Sequence, residues 1–347
     1  MKKNITLLFF VLIITMGCVT SKRPVREPDE NAHLRQSSPR YITESVLIGQ
    51  GTEYELPGAL TIPGGVMPDG GYSAAVIVHG SGPIDMDGTV FAYKVYFDIA
   101  DYLSSQGIAV LRYDKRTYAH GMKMVEEFGG ALSVYEETIE DAVLAANLIK
   151  TDPRINADKV FIIGHSLGGM LAPRIHASGA DFAGLILLAG SPRFLLDLSY
   201  DQNIDYIEKM MTGREKEDAL ASLSGWDDMV ATIVNIPDED AKTVDLGGMS
   251  AYYLKGLYNH PAADYIKNTR VPFLVLQGSA DFQVRADKDF AQYRELLSGR
   301  SNVTFILYEG LNHMFITSTT GYIDEYYIPD NVNSQVLYDI AAWIRMQ

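Results

Sequence analysis

Cysteine is nearly absent, since the 347 residues contain one, Cys18. That excludes a disulfide framework and leaves stability to a buried core. Basic residues are also scarce: 29 Lys and Arg face 44 Asp and Glu, a net charge of −15. Nucleic acid is therefore not an expected partner, because phosphate binding needs a basic surface. The acidity favours solubility and weighs against a polyanionic substrate. The N-terminal apolar run, Ile5 to Ile14, is too short to cross a bilayer, whose core takes about 20 apolar residues. No internal repeat is found.

What the N-terminus does contain is a basic start (Lys2, Lys3), that apolar run, and Thr15-Met16-Gly17-Cys18. This is the pattern of an export signal over residues 1–17. Cys18 after a small Gly17 resembles a lipobox, although Thr15 stands where leucine is commonest. Membrane association through a lipid on Cys18 is the expectation, with a soluble exported chain cut nearby as the alternative. Loss of Lys2 and Lys3 with the signal would take the net charge from −15 to −17. Residues 18–40 are rich in Arg, Pro, Glu and Ser and read as a tether.

Beyond the tether, hydrophobic content of 47% over this length suffices for one large domain with an insertion. An antiparallel opening pair is predicted at Tyr41–Ile48 and Glu53–Ile62, with Pro57-Gly58 as a bulge or bend. Apolar runs at Ala74–Val78, Ile108–Tyr113, Lys159–Ile163 and Gly184–Leu188 then alternate with helical patterns at Val90–Ser105, Ser133–Lys150 and the stretch to Ala177. Ser133 and Glu136 form a capping box. This alternation predicts an α/β fold, a mostly parallel twisted sheet of about eight strands with helices on both faces. The core is assigned to residues 41–190 and 270–347. Residues 191–269 carry helical patterns without a buried strand and read as a helical cap insertion over the strand ends. Met210, Met211, Trp226, Met229, Met249, Tyr252 and Tyr253 are candidates for an acyl pocket there, though each fits the insertion's own core as well. The sheet resumes at Pro272–Gly278, followed by a helix over Arg285–Leu297, a strand over Asn302–Tyr308 and a closing helix over Val332–Arg345.

The chemistry centres on Gly164-His165-Ser166-Leu167-Gly168, where an apolar strand turns directly into a helix. G-x-S-x-G in that setting is a nucleophile elbow, with glycines where a Cβ would clash. Ser166 is the candidate nucleophile, and a serine hydroxyl needs a base and a carboxylate to orient that base. Of seven histidines, only His313, past the final strand, satisfies the order Ser, acid, His. His165 adjoins the serine with its side chain directed elsewhere, and His120 is assigned to a loop. Asp281, leaving a strand end, is the candidate acid; capping of the next helix is its alternative role. Asp287, Asp289 and Glu309 are weaker choices. The oxyanion hole is assigned to the N–H groups of Leu167 and Ser81, with Gly82 second to Ser81.

In order, HGSGP (79–83), RYDKR (112–116), GHSLGG (164–169), LQGSADFQV (276–284) and GLNHMF (310–315) resemble the alpha/beta-hydrolase superfamily. Within it, residues 41–347 look most like bacterial EstD-type serine carboxylesterases, neighbours of serine aminopeptidase and prolyl-oligopeptidase-like hydrolases. The resemblance implies an alpha/beta-hydrolase fold, a Ser166–Asp281–His313 triad, a helical cap, no metal or organic cofactor, and hydrolysis of short-chain acyl esters, a small-molecule substrate. Two departures lie near the entrance. Asp85-Met86-Asp87-Gly88-Thr89 lacks the arginine of the usual D-R-D-x-T run, and Thr117-Tyr118-Ala119-His120 replaces a glycine pair. Asp114 and Arg116 are expected to form a structural ion pair beneath the site. Two other functions stay open: a peptidase or amidase on the same triad, whose pocket would be acidic to recognise a free amine, and a ligand-binding lipoprotein with a vestigial site.

Overall fold

A computed structural model describes residues 40–347. The export signal, Cys18 and all of the tether but Arg40 lie outside the described residues. Eight strands form one sheet: β1 Tyr41–Ile48, β2 Leu56–Pro63, β3 Tyr72–Val78, β4 Ala109–Tyr113, β5 Ile155–His165, β6 Gly184–Leu188, β7 Phe273–Gly278 and β8 Val303–Tyr308. Their order in space is β1-β2-β4-β3-β5-β6-β7-β8. β2 runs antiparallel to both neighbours, and the other pairs are parallel.

The central strands read as continuous apolar runs because both faces are covered. Along β3, Ala74, Val76 and Val78 enter one core while Ala75 and Ile77 enter the other; along β5, Val160 and Ile162 oppose Phe161 and Ile163. Gly184 opens β6 because a Cβ there would approach the Trp343 ring to 2.7 Å. The strand-helix alternation predicted from the sequence is thus the observed architecture.

Several expectations are corrected. Pro57 and Gly58 do not bulge: their register with Leu47 and Val46 is unbroken. The β2 pairing with β4 begins only at Gly58, so Pro57, which lacks an N–H, interrupts no ladder there. The helix expected from Val90 begins at Val95, after a two-residue hairpin over Thr89–Val90 and Tyr93–Lys94. Arg116–Phe128 is helical rather than loop, with a kink at His120, whose φ −132° and ψ 22° leave the helical region. The stretch after Ser133 opens as a π-turn over Tyr135–Ile139 before the α-helix Glu140–Lys150. Its capping box forms, with Ser133 N–H donating to Glu136 at 3.2 Å and Tyr135 N–H to Ser133 Oγ at 3.2 Å.

Between β6 and β7 the chain builds helices at Leu195–Met210, Gly213–Ser222, Trp226–Asn235, Asp238–Ala241, Ala251–Tyr258 and Ala262–Asn268. This insertion has its own apolar cluster, in which Leu196, Ile207, Trp226, Ile233 and Leu254 are buried with Met211, Met229, Met249 and Tyr252 packed around. Met210 is exposed. Of the seven side chains weighed for an acyl pocket, Met249 alone lines the cavity that holds Ser166.

Candidate active site

Ser166 sits between β5 and the helix Leu167–Ile175 at φ 54°, ψ −115°, a conformation that non-glycine residues rarely adopt. The turn is enforced from outside. A Cβ on Gly164 would stand 2.3 Å from Gly168 O, and one on Gly168 would stand 2.3 Å from Val78 O. Only glycine allows the elbow, β3 and the helix to meet this closely. Ser166 N–H donates to Leu188 O at 2.9 Å, and Met170 N–H to Ser166 O at 3.0 Å. The hydroxyl-bearing carbon therefore projects at the carboxyl end of the sheet, into a cavity of about 90 Å³ that Ser81, Gly82, Leu167 and His313 also line.

His313 and Asp281, 32 residues apart, are in contact: His313 Nδ1 donates to Asp281 Oδ2 at 2.8 Å, with both side chains essentially buried. Asp281 accepts three further hydrogen bonds, from Gln277 Nε2 at 2.9 Å, Gln283 N–H at 2.8 Å and Val284 N–H at 2.9 Å. All four donors fix one carboxylate orientation, and Nδ1 of His313 with it. The competing acids are engaged elsewhere. Asp289 accepts from Ser191 Oγ, Arg193 and Arg285 N–H, and Asp287 pairs with Arg285.

The His313 loop rests on a buried Asn312, whose Oδ1 accepts from Met314 and Ile316 N–H and whose amide donates to Glu325 Oε1 at 2.7 Å. Burial alone would raise the Glu325 carboxyl. The donors Asn312, Thr320, Thr319 and Ser318 outweigh it and hold the group below the usual range.

Two chains of hydrogen bonds pass beneath the turn at Gly80-Ser81, and neither was visible in the motifs. In the first, Gly80 N–H donates to Tyr96 Oη at 3.0 Å, Tyr96 Oη lies 3.2 Å from His165 Nδ1, and His165 Nε2 lies 3.0 Å from His313 O. A carbonyl only accepts, so Nε2 carries the proton and Nδ1 accepts from the tyrosine. Burial first, then the neighbouring His313, pushes His165 down to about 3, which keeps the ring neutral in that tautomer. The sequence reading that His165 points away from the serine is met: it links the Gly80 turn to the His313 loop.

In the second chain, Lys115 is the centre. It is 2% exposed, and its Nζ donates to Gly80 O at 2.9 Å and to Glu137 Oε1 at 2.8 Å. Glu137 Oε2 accepts in turn from Tyr253 Oη at 2.5 Å, a residue of the insertion. Lys115 lies in the run RYDKR, where the sequence drew attention to its neighbours. The expected Asp114–Arg116 pair does not form. Asp114 accepts from Met86 N–H at 2.8 Å, while Arg116 Nε donates to Asp141 at 2.9 Å and its Nη2 to Glu140 at 2.7 Å. The strand ends at Tyr113 and Arg116 opens a helix, so the two-residue period of a strand no longer places these side chains together. Asp114 meets the Met86 loop, and Arg116 the helix that carries Glu140 and Asp141. Among the described residues, no group of three or more His, Cys, Asp or Glu could hold a metal ion.

This fold and site define a class: the chain belongs to the alpha/beta hydrolase family, whose model matches residues 75–323. Among curated proteins it is similar to Esterase EstD of Thermotoga maritima, at 35% identity over 291 residues, 83% of this chain and 65% of that protein. The chain thus spans just under two thirds of that relative's length. Among solved structures it resembles the Pyrococcus furiosus esterase Pf2001 (TM-score 0.54, 15% identity, covering 88% of this chain and 91% of that one). Est1E from Butyrivibrio proteoclasticus aligns with TM-score 0.52 and 14% identity over 87% and 98%. Dipeptidyl peptidase 4 of Porphyromonas gingivalis aligns with TM-score 0.53 and 18% identity over 89% of this chain and 36% of that one. At these identities the structural likeness establishes the fold.

Proposed function

We propose that this protein is a serine hydrolase that cleaves small carboxylic esters through an acyl-enzyme, with Ser166 as nucleophile, His313 as base and then acid, and Asp281 as the partner of His313. The observation that carries the reading is one cavity lined by a serine at positive φ and by an imidazole whose Nδ1 is committed to a buried carboxylate. With Nδ1–H donated to Asp281, the free lone pair of neutral His313 is at Nε2. Ser166 Oγ attacks the ester carbonyl as Nε2 takes its proton. The tetrahedral intermediate then expels the alcohol, which receives that proton. Water repeats the cycle on the acyl-serine and releases the acid.

The negative oxygen of each intermediate is assigned to the N–H groups of Leu167 and Ser81. Lys115 strengthens the second donor. Gly80 C=O and Ser81 N–H are two ends of one peptide group, so a charge-assisted bond from Lys115 Nζ to Gly80 O polarises the N–H at the other end. Lys115 is in this reading a positioning and polarising residue that does not touch the substrate.

Esterase activity is supported by the name of the 35%-identical relative. A short acyl chain is favoured by the small cavity, about 90 Å³. Its lining has Gln202, Gln283, Ser191 and Ser199 but no Asp or Glu, which disfavours recognition of a free amine and hence the peptidase reading. Leu195, Leu198, Ser199, Gln202 and Met249 of the insertion line the same cavity, which supports its role as a cap. Export with a lipid at Cys18 is proposed from the sequence; a Cys18→Ser chain that still partitions into membranes would overturn it.

The substrate test is a panel of p-nitrophenyl acetate, butyrate and decanoate with an aminoacyl p-nitroanilide. The expected order of kcat/KM is short ester, long ester, then anilide. Preferential anilide cleavage would overturn the ester assignment.

A further inference from the structure

A second cavity, of about 330 Å³, lies behind the Ser166 pocket and shares Met170 and Leu195 with it as a common wall. It opens between the nucleophile helix and the insertion, and its apolar lining includes Phe194, Leu257, Tyr258 and Ala262. Two arginines line it, and no Asp or Glu does. In a chain of net charge −15 that composition is unusual.

The two arginines are in opposite states. Arg193 is saturated by carboxylates, Asp289 at 2.7 and 3.0 Å and Asp201 at 2.8 Å. The Arg174 carbonyl accepts from Ser178 Oγ, but its guanidinium makes no hydrogen bond or ion pair among the described residues, and Nη1 is buried without a partner. Its neighbours are the Tyr265 ring, 5.9 Å from the guanidinium carbon, and His260, whose Nδ1 lies 3.1 Å from Tyr265 Oη. Nearby Lys255 is spent on Asp238 and the Ile236 carbonyl. Glu136 acts on Arg174 electrostatically, but its carboxylate is taken by the Ser133 cap. A half-buried guanidinium without a counter-charge is costly, and its planar donors match a carboxylate.

We propose that this cavity binds a small carboxylic acid with an apolar or aromatic tail. The carboxylate takes the free donors of Arg174, and the tail lies among Phe194, Leu257 and Tyr258. A monoanion fits better than a phosphate dianion, because the other cations nearby are already neutralised. The volume suits a ligand of that class. The binding does not require any reaction at Ser166.

The probe is 4-phenylbutyrate, titrated calorimetrically into the full chain, with 4-phenylbutyramide as its uncharged twin. The acid is expected to bind at least ten-fold more tightly than the amide. Arg174→Gln should weaken the acid at least ten-fold while leaving the amide unchanged, and Arg174→Lys should restore part of the loss. Ala262→Trp, which fills the cavity from the insertion side, should abolish binding of both, whereas Ser166→Ala should leave both unchanged. Equal binding of acid and amide to the wild type would overturn the proposal without any variant. Loss of binding in Ser166→Ala with wild-type binding in Arg174→Gln would assign the acid to the Ser166 pocket and overturn it too. Neither outcome bears on whether Ser166 is a nucleophile.

Discussion

The two cavities that meet at Met170 and Leu195 treat their polar groups differently. Around Ser166 the supporting groups are held from several directions. Asp281 accepts four hydrogen bonds, and Gly80 is bonded through both its N–H and its carbonyl. Behind the wall, the Arg174 guanidinium has none among the described residues. Groups that must keep one geometry through a reaction are held before substrate arrives, since reorganisation during the reaction would cost rate. A group that awaits a ligand keeps its donors free.

The largest expected losses lie at Ser166 and its supporting carboxylate. Ser166→Ala is expected to lower kcat for p-nitrophenyl acetate by a factor on the order of 10⁴ to 10⁶, with KM little changed. Asp281→Asn should follow, at on the order of 10³ to 10⁴, because the amide favours the wrong imidazole tautomer. Stopped-flow acyl transfer measures both, and a loss under ten-fold for either would remove that residue from the assigned role.

The Lys115 contribution is smaller and more specific. Lys115→Met alone would strand Glu137, so the informative variant is Lys115→Met with Glu137→Met. Its kcat should fall about ten- to a hundred-fold at constant KM. Binding of a trifluoromethyl ketone, which forms an oxyanion on Ser166, should weaken in parallel. A rise in KM with kcat intact would make Lys115 merely structural.

The least effect is on stability. His79 and His165 are both pushed down to about 3, mainly by burial, from an ordinary value near 6.5. The unfolded chain then binds protons between those values that the folded one refuses. Stability from these two groups is complete above about pH 6.5 and is lost as pH falls toward 3, at up to about 1.4 kcal/mol per pH unit for each histidine. Urea melts from pH 7.5 to 4.5 should show that slope in the wild type and a shallower one in His165→Gln.

Much of the sheet was legible because its strands are buried on both faces, which writes them as unbroken apolar runs such as Ala74–Val78. The elbow was legible because close backbone approach demands glycine at fixed spacing. Arg116–Phe128 was not, since it carries an interior Gly121, exposes Met122 and Val125, and buries only Arg116 and Met124. Lys115 and Tyr96 were also hidden. Each works through a backbone atom of Gly80, and a bond to backbone leaves no pairing in the sequence.

The acylated residue in the proposed reaction is Ser166. Treatment of the full chain with a fluorophosphonate, followed by peptide mass spectrometry, measures this directly. One adduct is expected, on Ser166, absent in Ser166→Ala and formed much more slowly in His313→Gln. An adduct on another residue, or ester turnover that persists in Ser166→Ala without labelling, would contradict it.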